Sequence, residues 1–156
     1  MSTVDPIPVG YPRLSPYLAV AGAADAIEFY AKVFGATERM RLAGPDGRIG
    51  HAELEIGDSL LMISDEHPEM GVLGPQSLGG TAVMLTVYVE DVDATFAAAI
   101  EAGAREIEPV QDKFYGDRSG QFEDPWGHRW SVQTNIEDVT PEEMARRAAA
   151  MGEGGS

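Results

Sequence analysis

Two parts of this sequence match each other at one fixed spacing, and this internal repeat limits the fold more than any other feature. The stretch LSPYLAV aligns with VMLTVYV, so that Ser15 matches Met84 at an offset of 69 residues. The stretch IGDSLLMIS aligns with PWGHRWSVQ at the same offset, which matches Met62 to Ser131. A repeat of this length indicates two copies of one structural module.

Each copy has the residue pattern of a strand, a helix and three further strands. In the first copy, alternating residues predict a strand over 13–22, and helical spacing of apolar residues predicts a helix that ends at Gly35. Three strands then fit 36–43, 48–57 and 59–65, separated by glycine-containing turns. The second copy repeats this order, with Asp91 as the predicted N-cap of its helix. The sequence therefore predicts an α+β fold of two tandem βαβββ modules.

The remaining segments set the predicted domain organisation. Modules at 13–65 and 81–135 form one domain over 13–135, and the glycine-rich segment 66–80 is a linker. The stretch TPEEMARRAAAM predicts a C-terminal helix over 140–151, with Thr140 as N-cap and Pro141 in its first turn. Residues 152–156 are expected to form a flexible tail.

Composition excludes several classes of function. The chain has no cysteine, which excludes disulfides, thiolate zinc sites and a cysteine nucleophile. Its formal net charge of −15 disfavours nucleic acids and anionic membranes as partners, and no segment is long and apolar enough to span a membrane. P-loop, dinucleotide and nucleophile-elbow motifs are also missing. We therefore expect a cytoplasmic protein with a small-molecule ligand.

The tandem βαβββ order, the helix AADAIEFYAKVFGA and the hairpin FEDPWGHRWSV together resemble the vicinal oxygen chelate superfamily. That superfamily includes glyoxalase I, extradiol dioxygenases and fosfomycin- and bleomycin-resistance proteins. The C-terminal stretch from Phe114 to Arg147 is similar to a glyoxalase-like subgroup sometimes labelled demethylubiquinone methyltransferase-like. The resemblance covers residues 13–135 and implies a curved mixed sheet that forms a cup, and a homodimer. The C-terminal helix presents Met144, Ala148 and Met151 at i, i+4 and i+7, a spacing that suits either an apolar contact with a partner or packing of the helix back onto its own chain.

The resemblance also implies where a metal would bind. In metal-using members the ligands are His or Glu on the first and fourth strands of each module, and these positions correspond here to Ser15, Met62, Met84 and Ser131. A neutral hydroxyl and a thioether are poor donors for a divalent metal ion. We therefore expect no metal and no other cofactor.

Strand alternation predicts which side chains line the cup. In the third strand, Ala52, Leu54 and Ile56 suit the core, which turns His51, Glu53 and Glu55 toward the cup as candidate acid–base groups. The predicted ligand-binding residues come from both modules: Tyr17, Met62, Met84, Tyr88, Tyr115, Arg129 and Ser131. Tyr115 belongs to the loop 111–120, for which a lid and a plain turn are both open.

Three functions compete at this point. The first is a protein of the bleomycin-resistance type that binds a small hydrophobic or cationic molecule without metal. The second is a glyoxalase-type lyase or isomerase that uses His51, Glu53 or Glu55, and the third is a regulatory or structural dimer. A partly buried carboxylate without a partner is costly, so we expect a cation to be preferred over an anion, with Arg129 as the main objection.

Overall fold

The structure is a computed structural model that describes residues 3–154. The chain divides into two compact units, with the boundary between Gly80 and Thr81. No helix within the described range is long and apolar enough to cross a membrane.

Unit 1 contains the first βαβββ module. Its elements are β1 (Tyr17–Val20), α1 (Ala23–Phe34), β2 (Thr37–Ala43), β3 (Ile49–Ile56) and β4 (Ser59–Asp65). The strands form one mixed sheet in the order β1-β4-β3-β2, in which β1 and β4 are parallel and the other pairs are antiparallel. The observed strand β1 is shorter than the predicted strand 13–22. It begins after Pro16, because proline has no N–H group to donate to a neighbouring strand.

The apolar core of unit 1 lies between α1 and one face of this sheet. Ala23, Ala26 and Tyr30 of the helix are fully buried, as are Ala52 of β3 and Ile63 of β4. The Asp65 carboxylate at the end of β4 fixes the start of the helix, because its Oδ1 accepts the backbone N–H groups of Gly22 and Ala23 at 2.9 and 2.8 Å. The helix ends at Gly35, whose φ of +69° suits a glycine.

Unit 2 repeats this arrangement. Its elements are β5 (Met84–Tyr88), α3 (Val92–Glu101), β6 (Arg105–Asp112), β7 (Asp117–Glu123) and β8 (Arg129–Asn135). The sheet order is β5-β8-β7-β6, again with one parallel pair, β5 and β8. Asp91 caps α3 as predicted, since its Oδ1 accepts the N–H of Ala94 at 3.1 Å. The α+β prediction of two tandem βαβββ modules is confirmed.

The strand register confirms the offset of the repeat. Tyr17 pairs with Met62 in unit 1, and Thr86 pairs with Ser131 in unit 2. Thr86 lies 69 residues after Tyr17, and Ser131 lies 69 residues after Met62. The same relation holds for the next pair, Leu18 with Ile63 and Val87 with Val132.

Two segments outside the modules differ from the prediction. The linker at 66–80 contains a 3-10 helix (Pro68–Met70) and a short helix α2 (Pro75–Leu78). The many glycines in this segment predicted no helix here. The C-terminal helix α4 extends over Pro141–Gly154, so residues 152–154, predicted as part of a flexible tail, are helical. Residues 155–156 of that tail lie outside the described range. Thr140 caps α4 as predicted, because its Oγ1 accepts the N–H of Glu143 at 3.2 Å.

Candidate functional site

The face of the unit 1 sheet opposite α1 carries the predicted acid–base residues. The register places Tyr17, Met62, Glu53 and Met40 in one row across β1, β4, β3 and β2, and His51 pairs with Leu42 on the β3–β2 side. Alternation was predicted correctly for Ala52 and Leu54, which are buried on the core face, whereas Ile56 is only half-buried. This face therefore combines two polar groups of β3 with aromatic or apolar side chains from the other three strands.

A hydrogen-bonded network joins four side chains on this face: Tyr17, His51, Glu53 and Tyr11. The Tyr17 hydroxyl lies 2.9 Å from Nδ1 of His51, and Nε2 of His51 lies 2.8 Å from Oε2 of Glu53. The Tyr11 hydroxyl donates to Oε1 of Glu53 at 2.8 Å. We call these four residues the unit 1 network.

Burial differs sharply along the unit 1 network. Glu53 is only 4% exposed, whereas Tyr17 is 50% exposed. The hydrogen bond from His51, and next the one from Tyr11, outweigh burial and hold the pKa of Glu53 below its ordinary value. Glu53 is thus a buried carboxylate that faces His51, while Tyr17 is the accessible end of the network.

This geometry fixes the tautomer of His51. Because the Glu53 carboxylate only accepts hydrogen bonds, Nε2 of His51 carries a proton, and in the neutral ring Nδ1 accepts the hydroxyl proton of Tyr17. When His51 is protonated, Nδ1 instead donates to the Tyr17 oxygen, and the Tyr17 hydroxyl can turn to the Gly50 carbonyl oxygen at 3.4 Å. The network therefore has a partner for every proton in both states.

Glu55 does not belong to the unit 1 network, and its acid–base role stays a prediction that this network does not support. It is exposed and its Oε1 lies 3.7 Å from Nε of Arg39, with no contact to His51. Glu53, in turn, has both its oxygens bonded within the chain. Glu53 is therefore not the unpartnered carboxylate on which the expected preference for a cation was based, and that preference stays a prediction.

Four of the other predicted ligand-binding residues lie on the strands of unit 2, on the sheet face opposite α3: Met84, Tyr88, Arg129 and Ser131. Tyr88 donates its hydroxyl to Oδ2 of Asp117 at 2.8 Å, a bond that raises the pKa of Tyr88. Asp117 is 4% exposed and also accepts a hydrogen bond from Asn135 at 3.1 Å. Sequence inspection missed Asp117, although it begins an alternating polar series with Ser119 and Gln121 on β7.

Other predicted residues of unit 2 take separate places. Arg129 donates to Oε1 of Gln121 at 3.3 Å. Ser131 is buried, and Met84 is 45% exposed. Tyr115 lines an open depression of about 280 Å³ with Asn135, Glu137, Asp138, Val139 and Thr140. Trp130 is buried in the core, and its indole N–H donates to Oδ2 of Asp124 at 2.9 Å.

The residues at the four implied metal-ligand positions do not fit a divalent metal ion. In each unit the two positions are related in the same way: Ser15 and Met84 precede by two residues the strand partners of Met62 and Ser131. Their side chains offer two hydroxyls and two thioethers, which are weak donors for such ions. Across residues 3–154, no group of three or more His, Cys, Asp or Glu is placed to hold a metal.

Comparison with known proteins agrees with this architecture. An uncharacterized protein of Mycobacterium tuberculosis is 42% identical over 146 residues, which is 92% of this chain and 86% of that protein. Protein PA1353 of Pseudomonas aeruginosa has a crystal structure that matches with a TM-score of 0.68 at 25% identity and covers 81% of this chain and 99% of its own. TioX of Micromonospora sp. ML1 matches with a TM-score of 0.62 at 28% identity, over 80% of this chain and 99% of its own.

A family model extends the comparison to most of both modules. It matches residues 13–132, which include every strand of the two sheets except the last three residues of β8. Together with the tandem modules and their shared register, this match identifies the family: the chain belongs to the Glyoxalase/Bleomycin resistance protein/Dioxygenase superfamily.

Proposed function

We propose that this protein binds a small, largely apolar molecule on the face of the unit 1 sheet that carries the unit 1 network, and that it does so without a metal. The observation that carries this proposal is the Tyr17–His51 pair, whose hydroxyl is accessible while its supporting carboxylate, Glu53, is buried. Such a pair is preorganised to recognise one polar group of a ligand.

Apolar side chains around this pair supply the rest of the surface. Leu42, beside His51 in the register, is 58% exposed, and the half-exposed ring of Tyr17 lies 5.5 Å from the His51 ring between centroids. Met40 and Met62 flank Glu53 on either side. Thioether side chains adapt to flat or irregular ligands, and aromatic rings stack on them. Sequestration of an antibiotic-like compound, as in a bleomycin-resistance protein, is one function of this kind.

The ligand charge follows from the state of the carboxylates. Because Glu53 and Glu55 both have partners, the site has no unpaired buried anion to attract a cation. The net charge of −15 still disfavours an anion through its long-range field. We therefore expect neutral or weakly cationic compounds to bind better than anions of the same shape.

A thermal-shift screen with matched neutral, cationic and anionic aromatic compounds tests this proposal. A bound compound raises the melting temperature, and calorimetry then gives its affinity for the wild type and for Tyr17→Phe and His51→Asn. We expect about tenfold weaker binding in each variant, as for loss of one hydrogen bond to the ligand. His67→Asn is the matched control, because His67 lies outside the network. Equal binding by wild type and His51→Asn would contradict the assigned site.

The unit 1 network also favours a second candidate, an isomerase that moves a proton next to a carbonyl. The Tyr17 oxygen would take a C–H proton from the substrate while its own proton passes to Nδ1 of His51, which leaves an enolate and an imidazolium paired with Glu53. Return of the proton to a neighbouring carbon restores all groups. The support for this candidate is the continuous donor–acceptor order from Tyr17 to Glu53.

Exchange of substrate C–H for deuterium separates the two candidates. Aldehyde–thiol adducts and simple α-hydroxyketones are incubated with the protein in D2O, and proton NMR follows the C–H signals. Catalysed exchange that is lost in His51→Asn and kept in His67→Asn supports the isomerase. Saturable binding without exchange supports the binding protein.

We also propose that the chain forms a homodimer. Met151 is 58% exposed on α4, and Ala148 on the same helix is exposed too, so this face of the helix is available for a contact. Light scattering at micromolar concentration measures the mass. A monomeric mass would rule the dimer out.

A further inference from the structure

The N-terminal segment, residues 3–16, is attached to the sheet of unit 1 through specific contacts of Gly10 and Tyr11. The Tyr11 hydroxyl donates to Oε1 of Glu53 at 2.8 Å, and the two residues are 42 positions apart in sequence. Around this attachment the segment is largely exposed, and Val4 and Val9 are each 86% exposed. Hydrophobic burial therefore does not explain why the segment lies here.

Arg39 of β2 holds Tyr11 in place from the other side. Its guanidinium carbon lies 4.6 Å from the centre of the Tyr11 ring, a cation–π arrangement. Its Nη1 donates to the carbonyl oxygen of Gly10 at 3.0 Å. Gly10 has a φ of +85°, and a Cβ there would lie 2.9 Å from Nη2 of Arg39, so this approach needs a glycine.

These contacts converge on the carboxylate that supports His51. His51 of the same strand and Tyr11 of the N-terminal segment each hydrogen-bond to Glu53. Arg39 of β2 contacts the Tyr11 ring and so supports the second of these bonds. With Oε1 held by Tyr11, the carboxylate has one orientation, in which Oε2 points to Nε2 of His51. A carboxylate held by two donors cannot rotate without losing one of them.

We propose that Tyr11 is a positioning residue for the unit 1 network: it fixes the orientation and charge of Glu53 and, through Glu53, the tautomer of His51, and Arg39 is the clamp that keeps Tyr11 there. The positioning role of Tyr11 does not depend on the proposed function; only the use of the unit 1 network in ligand binding rests on it. The N-terminal segment is thus part of the site, although it lies outside the βαβββ module.

NMR of the full chain labelled at Glu side-chain carbons and His ring nitrogens tests this inference without any ligand. In Tyr11→Phe, which removes only the hydroxyl, the titration midpoint of the Glu53 carboxyl moves to higher pH, because one donor to the charged form is lost. The ring nitrogen signals of His51 move from values of the Nε2–H tautomer toward averaged ones. Arg39→Met has the same direction of effect, and its effect is smaller when Tyr11 is already Phe.

Tyr88→Phe is the matched control, because it removes a hydroxyl–carboxylate bond of the same 2.8 Å length from Asp117 in unit 2. It leaves the Glu53 and His51 signals unchanged, and the amide spectrum of each variant shows that the fold is retained. An unchanged Glu53 titration together with unchanged His51 ring nitrogen signals in a folded Tyr11→Phe protein would overturn the inference, and the ligand site at Tyr17 and His51 would stand. Failure of every ligand screen would overturn the proposed function alone.

Discussion

Replacement of Glu53 by glutamine should reverse the tautomer of His51. The amide of glutamine fits the same space, but only its oxygen accepts hydrogen bonds. If that oxygen keeps the Tyr11 hydroxyl, the amide N–H group faces Nε2 of His51 and requires that nitrogen to be an acceptor. The ring proton then moves to Nδ1, which donates to the Tyr17 oxygen, and the Tyr17 hydroxyl turns to the Gly50 carbonyl.

The cost of Glu53→Gln follows from the bonds exchanged. Two hydrogen bonds to a charged group, worth about 1.5–3 kcal/mol each, become two neutral ones worth about 0.5–1.5 kcal/mol each. Relief of the buried charge offsets part of this loss, so we expect a net destabilisation of about 1–2 kcal/mol, or roughly 2–8 °C in Tm for a chain of this size. Glu55→Gln is the matched control two residues along β3. Its exposed contact with Arg39 at 3.7 Å predicts a change of at most about 1 kcal/mol.

The difference between wild type and Glu53→Gln also depends on pH. In the folded state, hydrogen bonds from His51 and Tyr11 hold the pKa of Glu53 below its ordinary value of 4.5. A carboxyl with a lowered folded pKa stabilises the protein above the ordinary value, and this contribution is lost as pH falls through the folded pKa. The stability gap therefore narrows below about pH 4.5, since the glutamine does not titrate.

Long-range nitrogen–proton NMR of the His51 ring reads the tautomer directly, and urea unfolding at several pH values gives the stability. An unchanged Nε2–H pattern in Glu53→Gln would refute the assigned proton positions. A stability loss in Glu55→Gln as large as that in Glu53→Gln would show that the burial and hydrogen bonds of Glu53 do not account for the loss in Glu53→Gln.

The remaining predictions concern stability and local order. Asp124→Asn should lower the free energy of unfolding by about 1–3 kcal/mol in urea titration, because Asp124 accepts from the N–H groups of Trp126 and His128 and from the Trp130 indole, and an amide cannot accept all three. Gly74→Ala should cost about 1–3 kcal/mol by the same assay, because its Cβ would lie 2.5 Å from the Ala19 carbonyl oxygen, whereas Gly152→Ala meets no atom within 4 Å and should be neutral. Arg147→Gln should speed hydrogen exchange in α4 with little change in global stability, because Arg147 ties the helix to Glu137 and to the Phe114 carbonyl.

Periodicity made much of the fold predictable from the sequence. The strand and helix positions follow from alternation and helical spacing, and the offset of the repeat recurs in the register of β1 with β4 and of β5 with β8. The same alternation placed His51 and Glu53 on one face. The limits of the elements were less predictable, because Pro16 shortens β1 and the helical residues 152–154 are mostly glycine.

The partners of the site residues were not predictable from the sequence, because alternation gives a face and not a contact. Tyr11 precedes the module in a proline-rich segment, and its bond to Glu53 depends on a turn in which its own N–H donates to the Pro8 carbonyl. Glu53 and Glu55 have the same periodicity, yet a Tyr11 hydroxyl covers one and an exposed Arg39 pairs with the other. One available signal was the tyrosine placed between Gly10 and Pro12 in this segment.

Comparison of the two units separates a structural contact that both have from polar residues that only unit 1 has. At the end of the fourth strand, Asp65 accepts the N–H of Ala23 at 2.8 Å, and Thr134, its counterpart in unit 2, accepts the N–H of Val92 at 3.0 Å, so different residues perform one structural task. On the opposite face the counterparts diverge in chemistry: the register matches Glu53, the partner of Met62, to Gln121, the partner of Ser131. A glutamine there cannot hold a buried negative charge, and two residues earlier Ser119 replaces the imidazole of His51. Unit 2 has a buried carboxylate too, Asp117, but its partners are Tyr88 and Asn135. Only the unit 1 network joins a buried carboxylate to a histidine and two tyrosines, and this is the strongest structural reason to look for the activity there.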